Sequence, residues 1–512
     1  MLRMGAWRPG VAGLAMAALL SASLGAASAR QAVAATTCAG GVDSDFNGDG
    51  LRDVAIADPE APVGGKERAG LIRVVLGGDK GVVEVSQDTP NVSDGAETGD
   101  QFGFSFSAYD ANLDGCSDLA VGIPFEDVGS VADAGLVHVI YGSPSGIGQG
   151  TPDRGLRQGT GGLLFEHSEA EDWVGYSVAT TKSASGHPYL IIGVPGEDDD
   201  TKKDIGLVTA VWGVNLTAAS ATQDSAGVWE TAEAYDRMGT TVAASGQMFV
   251  VGVPGESLDT DTNTGAVMAF RPSINANGIP DPVWGMGQDR DPGSEISAET
   301  GDRFGSAIAI APYRPAGAAS ATDYLLAVGA PGEDIATTVD AGAVVTYHVT
   351  AAGGVSILNW IDQNTADVEQ ESQAGDFFGQ RLFAVNTSPT AVTTAATARL
   401  AIGVPGEESS DEHRDKGGVH IMPLLGPPGA SDSWIDPGYG IPATPAPGQL
   451  TGMSLSGTRT ILYVGMPYGP AADHGVHGFP WNVANGGAPT QTFKPGQGGI
   501  PAGTTTFGAV VR

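Results

Sequence analysis

The chain has 512 residues, 41% of them hydrophobic, enough to bury a sizeable core in one large domain or several modest ones. Its formal net charge of −34 opposes binding to nucleic acid or to an anionic membrane surface. Glycine (77) and proline (32) make up about a fifth of the chain, and such dense backbone punctuation disfavours a helical protein and favours many short strands joined by tight turns.

Residues 1–34 read as a secretory signal peptide. Arg3 and Arg8 flank an apolar run from Val11 to about Ala27, and small-residue cleavage signatures end at Ala29 and at Ala34. No later stretch approaches the ~18 apolar residues that a spanning helix needs. The mature chain, residues 35–512, is therefore expected to be exported, without a membrane span and monomeric. Cys38 and Cys116 are its two thiols; an oxidising compartment favours a disulfide between them, the alternative being two separate buried thiols.

From there the chain repeats itself. An apolar strand ending in a Gly-x-Pro-like turn recurs seven times, as AIADP to Pro59, AVGIP to Pro124, IIGVP to Pro195, VVGVP to Pro254, AVGAP to Pro331, AIGVP to Pro405 and YVGMP to Pro467. After most turns come a polar loop and a small-Gly step into another strand, as at Ala134-Gly135-Leu136. Upstream lies a third marker, Phe102-Gly103, Phe304-Gly305 and Phe378-Gly379, with weaker versions at Val174-Gly175 and Met238-Gly239. Acids precede it in register (Asp100, Asp172, Asp236, Asp302 and Asp376), and Gln87, Gln158, Gln223, Gln288 and Gln363 precede those. Units of this length hold four short antiparallel strands that bury their faces against neighbours when arranged radially. The expected fold is an all-β, seven-bladed propeller.

Two copies carry a loop with a chemical reason for its spacing. Asp45, Asn47, Asp49 and Asp53 stand at positions 1, 3, 5 and 9 of DFNGDGLRD, and Asp110, Asn112, Asp114 and Asp118 occupy the same positions of DANLDGCSD. Alternate side-chain oxygens on a tight turn can converge on one hard cation, with the carbonyl of Leu51 or Cys116 as a further ligand, so two calcium sites are expected. A metal-free turn, in which Asp and Asn bond their own backbone, is the alternative. Glu197, Glu256, Glu333 and Glu407 form another series, two residues after the turn proline, and offer an acidic rim for a cationic partner if they are not merely solvated.

Phe-Gly at the start of one strand and Gly-x-Pro at the end of the next, with an acidic loop between them in some copies, resembles the FG-GAP repeat of the integrin alpha-chain N-terminal propeller and of secreted bacterial proteins. The resemblance covers nearly the entire mature chain and implies the propeller. That repeat serves adhesion, calcium-stabilised scaffolding and, as an accessory, enzymes, so it is specific for fold and leaves function open. The seventh copy departs, with Thr451-Gly452 in place of Phe-Gly.

Catalytic signatures such as G-x-S-x-G or H-E-x-x-H do not occur, and the closest histidine cluster is Asp473, His474 and His477. The expected function is a secreted, calcium-binding module for binding or adhesion rather than an enzyme, with an unidentified extracellular protein or glycan as partner. The alternatives are an extracellular hydrolase or polysaccharide lyase with its site on the propeller face, and a purely structural exoprotein. The tail Thr506-Phe507-Gly508-Ala509-Val510-Val511 is a Phe-Gly strand without a following Gly-x-Pro strand, and the first copy lacks a Phe-Gly strand. Pairing of the two ends is expected to close the ring.

Overall fold

The strands that end in Gly-x-Pro are apolar along their whole length because both of their faces are covered. Asp118–Ile123, Met248–Val253 and Ala398–Val404 are buried at every position, whereas outer strands such as Val82–Val85 and Val355–Ile361 are largely half-exposed or exposed. The computed structural model describes residues 37–159, 167–199, 201–288 and 297–512; the signal peptide expected over residues 1–34 lies outside them. Among the described residues the strands form seven sheets, the blades of a seven-bladed propeller.

Blade two shows the plan. Ser105–Tyr109, Asp118–Ile123, Leu136–Ile140 and Arg154–Leu156 pair antiparallel in chain order. The first of these follows Phe102-Gly103 and is innermost, and the last faces outward. Blades three, four, five and seven repeat the four-stranded order, while blade six adds a short parallel strand, Gly440–Ile441, beside Ser433–Pro437. Blade one contains Val54–Asp58, Leu71–Val75 and Val82–Val85. Residues 508–512 run beside its first strand: Ala55 N donates to Arg512 O at 2.8 Å, Ala57 N to Val510 O at 2.9 Å and Gly508 N to Ala57 O at 2.9 Å.

The core lies between blades. One apolar cluster joins Ala55, Ile72 and Val85 of blade one to Leu119, Val121 and Ile140 of blade two, and equivalent clusters recur around the ring, down to one that holds Val54, Ile56, Tyr463, Val476, Phe507 and Val511. Close backbone approach at these seams explains the glycines of the repeat. A β-carbon on Gly122 would stand 2.0 Å from the carbonyl oxygen of Gly175 in the next blade. That same carbonyl accepts a 2.7 Å hydrogen bond from Ser105 Oγ, and Ser177 and Thr241 do likewise for Gly239 and Gly305. The Phe-Gly and Gly-x-Pro signals are thus the two sides of one inter-blade contact.

Candidate functional site

Antiparallel pairing puts the calcium-type loop of blade two and its Gly-x-Pro turn at opposite ends of the sheet. The loop of residues 45–53 lies against that of residues 110–118. Ser117 N donates to Asp45 O at 2.8 Å, and a Cys38–Cys116 disulfide ties them, which decides against two separate thiols.

Within each loop the side chains fold onto their own turn. Asp45 Oδ1 and Asn47 Oδ1 both accept from Asp49 N at 3.1 Å, and Asp45 Oδ2 accepts from Gly50 N at 2.8 Å. Asp110, Asn112 and Asp114 repeat this pattern. The ninth-position acids reach further. Asp53 takes amides from Phe46 and Gly77, and Asp118 those of Ala111 and Gly142. Burial, with Asp45 and Asp49 close by, pushes Asp53 up to about 6 against those two amides. Burial, with Asp114 and Asp110 adding, pushes Asp118 up to about 8. Lys80 Nζ lies 2.6 Å from Asp49 Oδ2 and helps hold that acid below its ordinary value although burial opposes it. Oxygen-only donors crowded with surplus negative charge fit a hard cation in chemistry. Cys38 and Cys116 sulfurs also lie near Asp114, but sulfurs bonded to each other are not thiolate ligands.

The acidic rim requires correction. Glu197, Glu256, Glu333 and Glu407 are buried, because each turns into the seam and meets a glutamine from the end of the preceding blade's outer strand. Gln158 Nε2 donates to Glu197 Oε2 at 2.5 Å, Gln288 to Glu333 at 2.5 Å and Gln363 to Glu407 at 2.7 Å, and Gln223 pairs likewise with Glu256. Glu126, not included in that rim, receives Gln87 at 2.6 Å. The acids ahead of Phe-Gly complete the arrangement: Asp100, Asp172, Asp302 and Asp376 each accept, through Oδ2, the amide three residues earlier at 2.5–2.6 Å, and Asp236 does the same with Glu233. Burial, reinforced by the neighbouring aspartate, pushes Glu256 and Glu333 up to about 8.

Where the innermost strands meet, a channel of about 510 Å³ runs between small side chains such as Ser105, Ser177, Thr241 and Ala307. Phe104, Tyr176 and Tyr468 line it. Around them Phe104 packs edge-on to Phe125 with centroids 5.4 Å apart, Phe104 lies 5.0 Å from Tyr176, and Trp173 lies 6.3 Å from Tyr176. The Arg237 guanidinium stands 5.9 Å above Trp173. Phe104, Phe125, Trp173 and Tyr176 are half-buried. Sequence reasoning missed this cluster because it draws on copies two and three alone. Its only signal was an aromatic residue directly after Phe102-Gly103, Val174-Gly175 and Pro124.

The histidine cluster does not converge. His477 points into the blade and shares a hydrogen bond with Thr492, His474 meets the Gly469 carbonyl, and Asp473 accepts from Gln449. Among the described residues no helix is long and apolar enough to cross a membrane.

The FG-GAP repeat family matches residues 102–140. The chain is 30% identical to phosphatidylinositol-glycan-specific phospholipase D of Rattus norvegicus over 114 residues, 22% of this chain and 14% of that protein. It is 36% identical to integrin alpha-PS5 of Drosophila melanogaster over 107 residues, 21% and 10% of the two chains. With integrin alpha-5 of Xenopus laevis it shares 31% over 163 residues, 30% and 14%. The aligned stretches thus span a small part of each relative.

Proposed function

We propose, from the premise that the chain is a seven-bladed FG-GAP repeat β-propeller related to integrin alpha chains and to phosphatidylinositol-glycan-specific phospholipase D, that it is an exported binding module stiffened by calcium. The observation that carries this reading is the aromatic cluster of Phe104, Phe125, Trp173 and Tyr176 beside the channel mouth. Half-exposed rings already held against one another lose little freedom when a partner covers them, so they serve as anchors. The acid excess of −34 steers a basic extracellular partner toward the propeller. Similarity to chains named as integrin alpha subunits supports the binding reading.

Calcium takes a structural part in this proposal. Asp45, Asn47, Asp49 and Asp53, with the Leu51 carbonyl, hold one ion, and Asp110, Asn112, Asp114 and Asp118, with the Cys116 carbonyl, hold another. Each ion would neutralise the crowded acids of one turn.

The test uses the mature protein, immobilised in millimolar calcium and offered the surface extract and medium of the secreting cell. A partner retained by the wild type should be lost at least tenfold from a Trp173→Ala/Tyr176→Ala variant that melts like the wild type. Equal retention by that variant would remove the mouth as the binding site.

A further inference from the structure

Five seams, from the junction of blades one and two to that of blades five and six, contain the same buried polar set. Each has a glutamine from one blade and an aspartate and a glutamate from the next, as in Gln87, Asp100 and Glu126, or Gln223, Asp236 and Glu256. The glutamine donates its Nε2 to the glutamate. Its Oε1 is left buried and without a partner in all five seams. The aspartate spends Oδ2 on a backbone amide, and Oδ1 of Asp172, Asp236 and Asp376 is likewise buried without a partner. These glutamines are 1–5% exposed and these three aspartates 0–1% exposed.

One buried oxygen without a donor costs about 1–3 kcal/mol and is tolerated occasionally. The same unmet amide oxygen at five equivalent positions is a property of the repeat and not a local packing fault. The glutamate carboxylate is hydrogen-bonded to the same amide, and in blade five the aspartate is near enough to that glutamate for the Asp302 charge to oppose ionisation of Glu333. Two negative charges and neutral oxygens, without nitrogen or sulfur ligands, match a hard divalent cation.

The sequence register carries the second observation. In the two remaining seams all three positions change together. Where blade six meets blade seven they are Pro437, Gln449 and Gly469. Where the chain end meets blade one they are Pro495, Thr505 and Ala61. Gln449 still performs the backbone task of the aspartate, accepting from Ala446 N at 2.9 Å, so the turn itself does not need an acid. Three residues that are kept or replaced as a unit, with the local hydrogen bond preserved by a neutral amide, behave as one charge-matched site.

We propose that each of these five seams binds one calcium ion between the glutamine Oε1 and the paired aspartate and glutamate carboxylates. The ion joins the outer strand of one blade to the inner turns of the next, which makes the stiffness of the ring depend on calcium at places remote from the two acidic loops.

The test counts bound calcium by equilibrium dialysis of the chelator-treated, reloaded full chain. An Asp49→Ala/Asp114→Ala variant, in which both loops are disabled, should still bind about five ions, and adding Asp236→Asn/Glu256→Gln should lower the count by one. No bound calcium in the loop variant, or a count indifferent to the seam substitutions, would overturn the proposal while leaving the loop sites and the aromatic mouth untouched. Should the loop variant fail to fold, Glu256→Gln alone decides. In chelator it should melt at or above the wild type, having lost a buried charge, and in millimolar calcium below it. The same ranking in both buffers would also overturn the proposal.

Discussion

His477 is the residue at which acid acts with a sign that can be worked out from its surroundings. It sits fully buried in the strand Gly475–Pro480, with Nδ1 sharing a hydrogen bond with Thr492 and Nε2 without a partner. Burial, with Lys494 adding repulsion, lowers its pKa from 6.5 to about 4. Between those two values the unfolded chain holds a proton that the folded chain refuses, so stability falls as pH falls through that window. The loss is on the order of 3 kcal/mol by pH ~4. Buried glutamates with raised pKa values, such as Glu256, act in the opposite sense, so the effect is read as a difference between wild type and His477→Gln. Urea midpoints at neutral and acid pH should show the wild type losing this extra stability relative to the variant. Parallel pH curves would show that His477 gains a proton without unfolding.

At the scale of elements, the two acidic loops act as one unit. The Cys38–Cys116 disulfide and the Asp45–Ser117 backbone bond join them. Gly48 has φ of +67°, and a β-carbon there would lie 2.6 Å from Cys38 Cα, so the stapled turn admits no side chain. Ions that bind the folded loops alone stabilise by mass action, about 2.7 kcal/mol for a site with free calcium at 100 times its dissociation constant. Millimolar calcium should therefore raise the melting temperature, and Asp49→Ala should shrink that rise. Because the loops share contacts, Asp49→Ala and Asp114→Ala should combine to less than the sum of their single effects. A melting curve unmoved by excess chelator would refute calcium binding here. The blade plan was legible in the sequence because Gly122 and Gly175 meet backbone to backbone, a close approach that recurs at Gly193 and Gly239, Gly252 and Gly305, Gly329 and Gly379, Gly403 and Gly452, and Gly465 and Gly508, with Ala57 facing Gly103 in the first seam. The placement of Glu197 and Glu256 was not. Pro-Gly reads as a surface turn, and the glutamines that draw these acids inward come from another blade 33–39 residues earlier in the chain. The Phe104–Tyr176 cluster was hidden for a different reason: it belongs to two copies, so no period announces it.

At the scale of the whole molecule, every inner strand from blade two to blade seven starts behind a Phe-Gly or equivalent step, and none stands between Cys38 and Val54 ahead of the first strand of blade one. Residues 507–512 carry that step, and the closure expected from the sequence can be tested by removing them. Phe507 and Val511 are 0% and 2% exposed and pack with Ile56, Tyr463 and Val476. Thr505 and Thr506 give their amides to Asp58, at 3.2 Å and 2.6 Å. That buried acid also pairs with Arg73 at 2.9 Å, and the Arg73 guanidinium in turn lies 5.9 Å from the Phe507 ring centre. Truncation after Gly503 would therefore expose the apolar side of Val54 and Ile56, leave Asp58 short of two donors and open one edge of a strand that is otherwise paired on both sides. Two large side chains at about 1.5–3 kcal/mol each, with several hydrogen bonds at roughly 1 kcal/mol each, come to a substantial part of the 5–15 kcal/mol that holds a typical domain folded. The truncated chain should melt far below the full-length protein and aggregate through the opened edge. In the intact protein the amides of Gly508 and Arg512, both bonded to the first strand of blade one, should exchange as slowly as those of Val54–Asp58. If the truncated chain melted with the full-length one, or if those two amides exchanged as freely as a frayed end, the ring would owe its closure to the packing of blade one on blade seven alone.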